Sequence, residues 1–248
     1  MNILRSEWTK LRSVRSTWIA AVSAVLSSVV LGVVGSFDLL GAPPAEPPAG
    51  WDPTALALKG FLFAQLIIGM MGALSVTPEY DTGMIGTSLA VVPARSRLLG
   101  AKMVVVAAVG FVTGLVTTLV SFTVVQLMLG GTGLPMAGLS DPGVAGALAG
   151  GVLYLTLIAL IGVAVGVLTR SATGGLAVLV GALLLVPALA PAFGDRLAAL
   201  WPITAGQAAY TVVPAEGMVA PGVGLAVLVA AAAVVGIAGH VALRARDV

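Results

Sequence analysis

Residues 78–102 read Pro-Glu-Tyr-Asp-Thr-Gly-Met-Ile-Gly-Thr-Ser-Leu-Ala-Val-Val-Pro-Ala-Arg-Ser-Arg-Leu-Leu-Gly-Ala-Lys. Glu79, Asp81, Arg95, Arg97 and Lys102 fall within 24 positions of a chain in which only 9% of residues are charged. Uncharged stretches flank them, Gly60–Pro78 before and Met103–Ser140 after. Between the charged ends, Met84–Val92 mixes apolar residues with glycine and small hydroxyls until Pro93 stops it. That pattern predicts a short helix at a membrane surface, its polar flank turned to the aqueous phase.

Composition fixes the class. Hydrophobic residues make up 59% of the chain, and the mean hydropathy is +1.11. A soluble domain carries about 25% charged residues, so this is a polytopic membrane protein. A spanning helix needs about 20 apolar residues, and 248 residues hold six or seven. The alternation of a membrane barrel, in strands of about 10 residues, is absent, so the fold is all-α. There is no cysteine, which excludes disulfide and thiolate chemistry. The basic residues cluster at membrane flanks and the net charge is +2, which leaves no basic face for nucleic acid.

Working outward, residues 1–16 place Leu4, Trp8 and Leu11 on one helical face. Trp8, Lys10, Arg12 and Trp18 are interfacial anchors on this reading, with Glu7 and Arg15 spoiling the face. A secretory signal is the competing reading, but the charge-free run Ser16–Phe37 exceeds the 7–15 residues of a signal core. The whole is one transmembrane domain, residues 1–248. Its spans are expected at about 17–37, 57–78, 103–129, 143–169, 172–193 and 219–243. Residues 79–97 form a loop, and 38–56 and 194–218 are extracellular segments. Pro43, Pro44, Pro47, Pro48 and Pro53 make 38–55 irregular. Leu197–Ala215 is uncharged, yet Trp201, Pro202, Gln207, Tyr210 and Pro214 favour short re-entrant or extracellular helices over a seventh span.

Charge supports the count of six. The N-terminus, the 78–102 loop, Arg170 and the C-terminus then share one side, with ten of the 12 basic residues. Lys59, Arg196 and six acids (Asp38, Glu46, Asp52, Asp141, Asp195, Glu216) fall on the other. The positive-inside rule puts the basic side, with both termini, in the cytosol; the expected location is a bacterial cytoplasmic membrane.

Catalytic signatures are missing. There is no phosphate loop, no H-E-x-x-H and no G-x-S-x-G. The single His240 reads as a packing residue near a span end. No Asp, Glu, Lys or Arg lies deep in a span, which weakens an ion-coupled carrier. Thr113, Thr117 and Ser121 recur at i, i+4 on the third span, with Phe122 beside them and Gln65 on the second. These five are candidates for a weakly polar cargo wall. The alternative is that the hydroxyls bond their own i−4 carbonyls or a neighbouring helix.

The chain resembles the permease subunit of type 2 ATP-binding-cassette (ABC) exporters. Ser6-Glu7-Trp8-Thr9-Lys10-Leu11-Arg12-Ser13 is similar to the amphipathic elbow before the first span of such permeases. Glu79-Tyr80-Asp81-Thr82-Gly83-Met84-Ile85-Gly86-Thr87-Ser88-Leu89, then Pro93-Ala94-Arg95-Ser96-Arg97 and Ala101-Lys102, resembles their cytosolic coupling loop. It departs in having Asp81 where a basic residue is common, and in splitting Gly83 from Gly86-Thr87. The 197–215 region resembles the short extracellular helices before the sixth span.

The resemblance implies a non-catalytic subunit paired with a second permease copy, identical or paralogous. Two copies of a separate cytosolic ABC ATPase would hold ATP and Mg, leaving no cofactor in this chain. Closure of the ATPase would reach the membrane through Glu79, Tyr80, Gly83, Gly86, Thr87, Leu89, Val92, Pro93, Arg95 and Arg97. Arg95 and Arg97 would pair with ATPase acids or with lipid headgroups. The implied activity is efflux; a hydrophobic or amphipathic cargo, a drug, antibiotic or lipid-like molecule, suits the phenylalanine- and methionine-rich second and third spans. Two other classes remain: a non-transporting assembly or signalling subunit that docks a cytosolic regulator, and a membrane lipid enzyme.

Overall fold

The computed structural model describes residues 3–42, 44, 46–84, 86 and 94–245, without the side chains of Asp38 and Leu40. It is all-helical. A short helix, α1 (Ile3–Ser13), precedes six helices long and apolar enough to cross a membrane. These are α2 (Arg15–Val34), α3 (Phe61–Asp81, with a turn at residues 75–76), α4 (Arg95–Leu129), α5 (Val144–Thr169), α6 (Ala172–Phe193) and α7 (Pro221–Ala245). Residues 195–210 form short helices (Asp195–Leu200, Pro202–Gln207) and a 3₁₀ turn, not a seventh span. With six crossings, α1, the 82–94 connection and the end of α7 share one end of the bundle, called here the terminal end.

Two boundaries differ from expectation. The helix of the third span begins at Arg95, eight residues before its apolar run. Arg95–Lys102 contains good helix formers, and a charge ends a hydropathy window without ending a helix. Its 35 residues run about 52 Å at 1.5 Å each, well beyond the roughly 30 Å of a hydrocarbon core. Residues 79–97 are therefore helical at both ends. The proline-rich 38–55 segment also holds helix, at Phe37–Gly41 and Pro53–Ala57. Pro53 sits in the first turn, where a missing N–H costs nothing, and the Asp52 carboxylate caps Thr54 and Ala55 N–H at 2.9 Å.

Helix α5 is the most enclosed of the six and packs against α3, α4, α6 and α7. Glycine makes this possible. A Cβ on Gly162 would lie 1.9 Å from the Gly69 carbonyl oxygen, and one on Gly72 would lie 2.1 Å from that of Ala159. The α3 and α5 backbones thus touch directly, the geometry that small residues permit in lipid. By contrast α2 exposes Trp18, Val22, Leu26, Val30 and Val34 at every fourth position, an apolar stripe left open by the other described elements.

At the far end the Asp52 carboxylate also accepts from Val212 and Val213 N–H, at 2.6 and 2.8 Å. Gln126 bridges Pro53 O and Ala137 N–H, both at 2.9 Å. These bonds tie the segment before α3 to those before α5 and α7.

Gly162→Ala is expected to force α3 and α5 apart and cost about 1–3 kcal/mol, lowering the thermal unfolding midpoint in detergent. Gly146→Ala, with nothing within 4 Å of the new Cβ, is expected to leave it unchanged or slightly raised. Equal midpoints for both variants would refute the contact.

Candidate functional site

The face that α1 turns inward is Ile3, Ser6, Glu7, Lys10 and Leu11, spaced as one helical side. Leu4 and Trp8 point away, 43% and 42% exposed. The apolar stripe of the sequence is therefore split, Leu4 and Trp8 outward and Leu11 inward, and Glu7, which seemed to spoil the amphipathic pattern, is the buried centre of the inner face. Arg12 and Trp18 are also exposed, and the Trp18 indole N–H closes on Arg12 O at 3.0 Å, pinning α1 to α2.

Glu7 belongs to a cluster of four charges, with Lys10, Glu79 and Lys102. Lys102 Nζ donates to Glu7 Oε2 and Glu79 Oε1, each at 2.7 Å, and to Ser75 O at 3.3 Å. Lys10 Nζ donates to Glu7 Oε1 at 2.9 Å and Glu79 Oε1 at 3.1 Å. Lys102 is 4% exposed, Glu7 5% and Glu79 8%. Two acids and two bases cancel in formal charge, as burial in a low-dielectric setting requires. Burial works to raise the Glu7 carboxyl, but Lys102 and Lys10 overcome it and hold it below its usual value. Burial works to lower the Lys10 ammonium, and its bonds to Glu7 and Glu79 raise it. The Lys10 ammonium is thus bonded within the protein, with its side chain 36% exposed. The sequence signals for this site were the inward 3-6-7-10-11 spacing and a lone cation, Lys102, at the mouth of an apolar run.

The rest of the loop is tied at several points. The Arg170 guanidinium, in the turn between α5 and α6, lies 5.2 Å from the centre of the Tyr80 ring. Gly83, at φ +69°, turns the chain off the end of α3, a left-handed cap that a side chain would strain. Arg95 Nη1 donates to Leu243 O at 2.6 Å and Arg244 O at 3.2 Å, a cation at the carbonyl end of α7. Arg244 returns a bond to Ser96 Oγ at 2.9 Å. Arg95 therefore faces inward, whereas Arg97 is exposed. Met84 and Gly86 are helical, and a Cβ on Gly86 would meet nothing within 4 Å. Thr87, Leu89, Val92 and Pro93 lie outside the described residues.

The candidate cargo wall is packed shut. Ser121 Oγ donates to Ser28 Oγ of α2 at 2.8 Å, and Thr113, Thr117 and Phe122 are buried. For Ser121 the neighbouring-helix alternative holds. Gln65 has a different task, set by α6. Residues Gly181–Leu185 form a π turn ahead of Pro187, in which Val186 N–H reaches Gly181 O. This frees the Ala182 carbonyl, and the missing N–H of Pro187 frees that of Leu183. Trp201 Nε1 fills the first at 2.9 Å and Gln65 Nε2 the second at 3.4 Å. Gln65 Oε1 accepts from the Tyr154 hydroxyl. Gln65 therefore joins α3, α5 and α6.

Lys102→Met would leave Glu7 and Glu79 facing each other without a buried cation. The expected cost is about 3–5 kcal/mol, with α1 detached from α4. The chain has no cysteine, so spin labels at Thr9→Cys and Gly100→Cys would read that distance directly. In the parent chain, a Glu7 carboxyl held low keeps the helix docked above pH 4.5 and releases it as pH falls further, through the lowered value. A distance that ignores both substitution and acid would exclude the cluster as a fastening.

Gln65→Leu would orphan Leu183 O and the Tyr154 hydroxyl, at about 1–3 kcal/mol for each group. The thermal midpoint should drop clearly, while Thr113→Val, at a buried position with no side-chain hydrogen bond among the described residues, should have a smaller effect.

A family model described as "ABC-2 family transporter protein" matches residues 3–187. No curated protein matches the chain significantly. The match takes in α1, the four-charge cluster, the 82–94 connection and all of α3, α4 and α5, the helices that the cluster and the α3–α5 contact hold together. This chain belongs to the ABC-2 family of transporter proteins, as a permease subunit of an ABC transporter.

Proposed function

We propose that this permease is the membrane half of an ATP-driven exporter in a bacterial cytoplasmic membrane, its terminal end in the cytosol. ATP and Mg would be held by two copies of a cytosolic ABC ATPase. A second permease copy, identical or paralogous, would complete a path for hydrophobic or amphipathic cargo. Export is the direction that the family resemblance implies.

The observation that carries this reading is the fastening of Glu79 and Tyr80. They are the residues at which α3 leaves the bundle, and they are bonded to α1 and α4 through Lys10 and Lys102, and to the α5–α6 turn through Arg170. A load applied to residues 82–94 would therefore reach four elements together, with little slack. Exposed Arg97 is the proposed contact to ATPase acids, and Arg95 the tie that carries movement to α7. Gln65, Thr113, Thr117, Ser121 and Phe122 remain the proposed cargo wall. In this conformation they are closed by α2 and α5, and transport would require that seam to part.

Co-expression with a candidate ATPase encoded beside it tests the proposal. The intact chain is expected to retain the ATPase in detergent and stimulate ATP hydrolysis. Alanine substitutions through Gly86–Val92 and at Arg97, sparing Arg95, should abolish both while leaving the thermal midpoint in place. An intact chain that retains no ATPase would sink the coupling role.

A further inference from the structure

At the far end a cavity of about 630 Å³ opens between residues 48–62 and 207–218. Leu39, Leu56, Leu62 and Met218 give it apolar surface, beside Asp52, Lys59, Gln207 and Tyr210. The acid in this wall is already satisfied. Asp52 is 8% exposed, and its two oxygens accept four backbone N–H groups, from Thr54, Ala55, Val212 and Val213. The donors are not. Lys59 is exposed and has no hydrogen bond or ion pair among the described residues. The Gln207 amide and the Tyr210 hydroxyl have no hydrogen-bond partner there either, and neither group is sealed from solvent. An ammonium brings three donors, an amide two and a hydroxyl one. Glu216, between the lining residues Ala215 and Met218, is exposed and forms no part of the wall. The cavity thus joins an accessible cation and two neutral donors to apolar surface, with its one carboxylate compensated.

We propose that this cavity takes the oxyanion head of an amphipath, a phosphate or carboxylate that pairs with the Lys59 ammonium while its chain lies along Leu39, Leu56 and Leu62. Gln207 and Tyr210 supply further donors. The chemistry selects for negative charge. An oxyanion turns the Lys59 donors into charge-assisted hydrogen bonds, whereas a cationic head would meet like charge and find no free acid. The volume lies within the roughly 300–1,000 Å³ of ligand sites and leaves room for the head and the start of a chain. Two sources carry this chemistry: the headgroup of an anionic phospholipid, or a free anionic amphipath. Residues 207–218 lie beyond the 3–187 stretch that the family model matches, so the match does not account for this site. Nor does the site depend on whether the chain is driven by an ATPase.

The test uses the full chain, purified in a neutral maltoside and stripped of lipid, with binding followed by native mass spectrometry and thermal shift. The probes are phosphatidylglycerol, dodecyl phosphate, dodecanol and dodecylammonium. At least one anionic probe should bind saturably, roughly tenfold or more tightly than dodecanol or dodecylammonium. Lys59→Gln should weaken it by a similar factor, and Lys59→Arg should retain it. Leu62→Trp keeps the charge and narrows the cavity from a wall position that is 50% exposed, so it should weaken binding with an unchanged unliganded midpoint. Binding of both anions supports the oxyanion class; phosphatidylglycerol alone assigns the site to lipid, and dodecyl phosphate alone to a free amphipath. Three outcomes overturn the proposal: no saturable anion binding; equal binding of dodecanol or dodecylammonium; or anion binding that Lys59→Gln or Leu62→Trp leaves intact, as it would be if the anion sat on the exposed arginines of α1.

Discussion

Lys102 held between Glu7 and Glu79 is the constraint around which the terminal end is arranged. An ammonium with 4% exposure at the edge of an apolar helix cannot stand alone, because desolvating an unpaired charge costs several kcal/mol. It has to recruit acids, and the two available come from separate elements, α1 and the end of α3. Solving the electrostatic problem of one side chain thereby fixes the position of three helices. Lys10 completes the neutrality, and it lets Glu7 use both oxygens.

In the bundle interior the corresponding constraint is steric. Around α5 the backbones of α3 and α7 and the 202–210 segment come close enough that Gly72, Gly150, Gly162 and Gly224 have no room for a Cβ. Such contacts leave little freedom for sliding. Helix α6 is the contrasting case, with a π turn and two prolines, and its freed carbonyls depend on Gln65 and Trp201. A stiff inner block and a side helix whose backbone is satisfied from outside differ in how readily they deform.

Much of this was legible in the residues. Hydropathy alone located six spans, because an uncharged run of twenty residues has few alternatives. The prolines and polar aromatics of 197–215 correctly argued against a seventh. Other features were hidden for physical reasons. Glu7 looked like a flaw because amphipathicity was read against lipid, whereas the inner face of α1 is a protein surface built of charge. Helix α4 starts ahead of the span expected at 103–129, because a hydropathy window stops at Lys102 and Arg97, although an exposed arginine is a good helix former. Gln65 and Ser121 carried no local mark that could separate a cargo wall from a helix joint. Their partners, Leu183 and Ser28, are more than ninety positions away.

The same distances bear on how the chain assembles. Glu79 and Lys102 are 23 positions apart, while Glu7 and Lys102 are separated by 95. A chain made from its N-terminus has α1 in hand long before the lysine that completes its socket exists. Until α4 is made, α1 has only the bilayer surface, by way of Leu4 and Trp8, and the single bond from Lys10 to Glu79. Closing the longer loop is no great obstacle, at about two doublings of length and ~1.2 kcal/mol. The order is what matters: the α3–α4 hairpin forms half of the socket by itself, and α1, made before both, is fully seated only once that hairpin is complete.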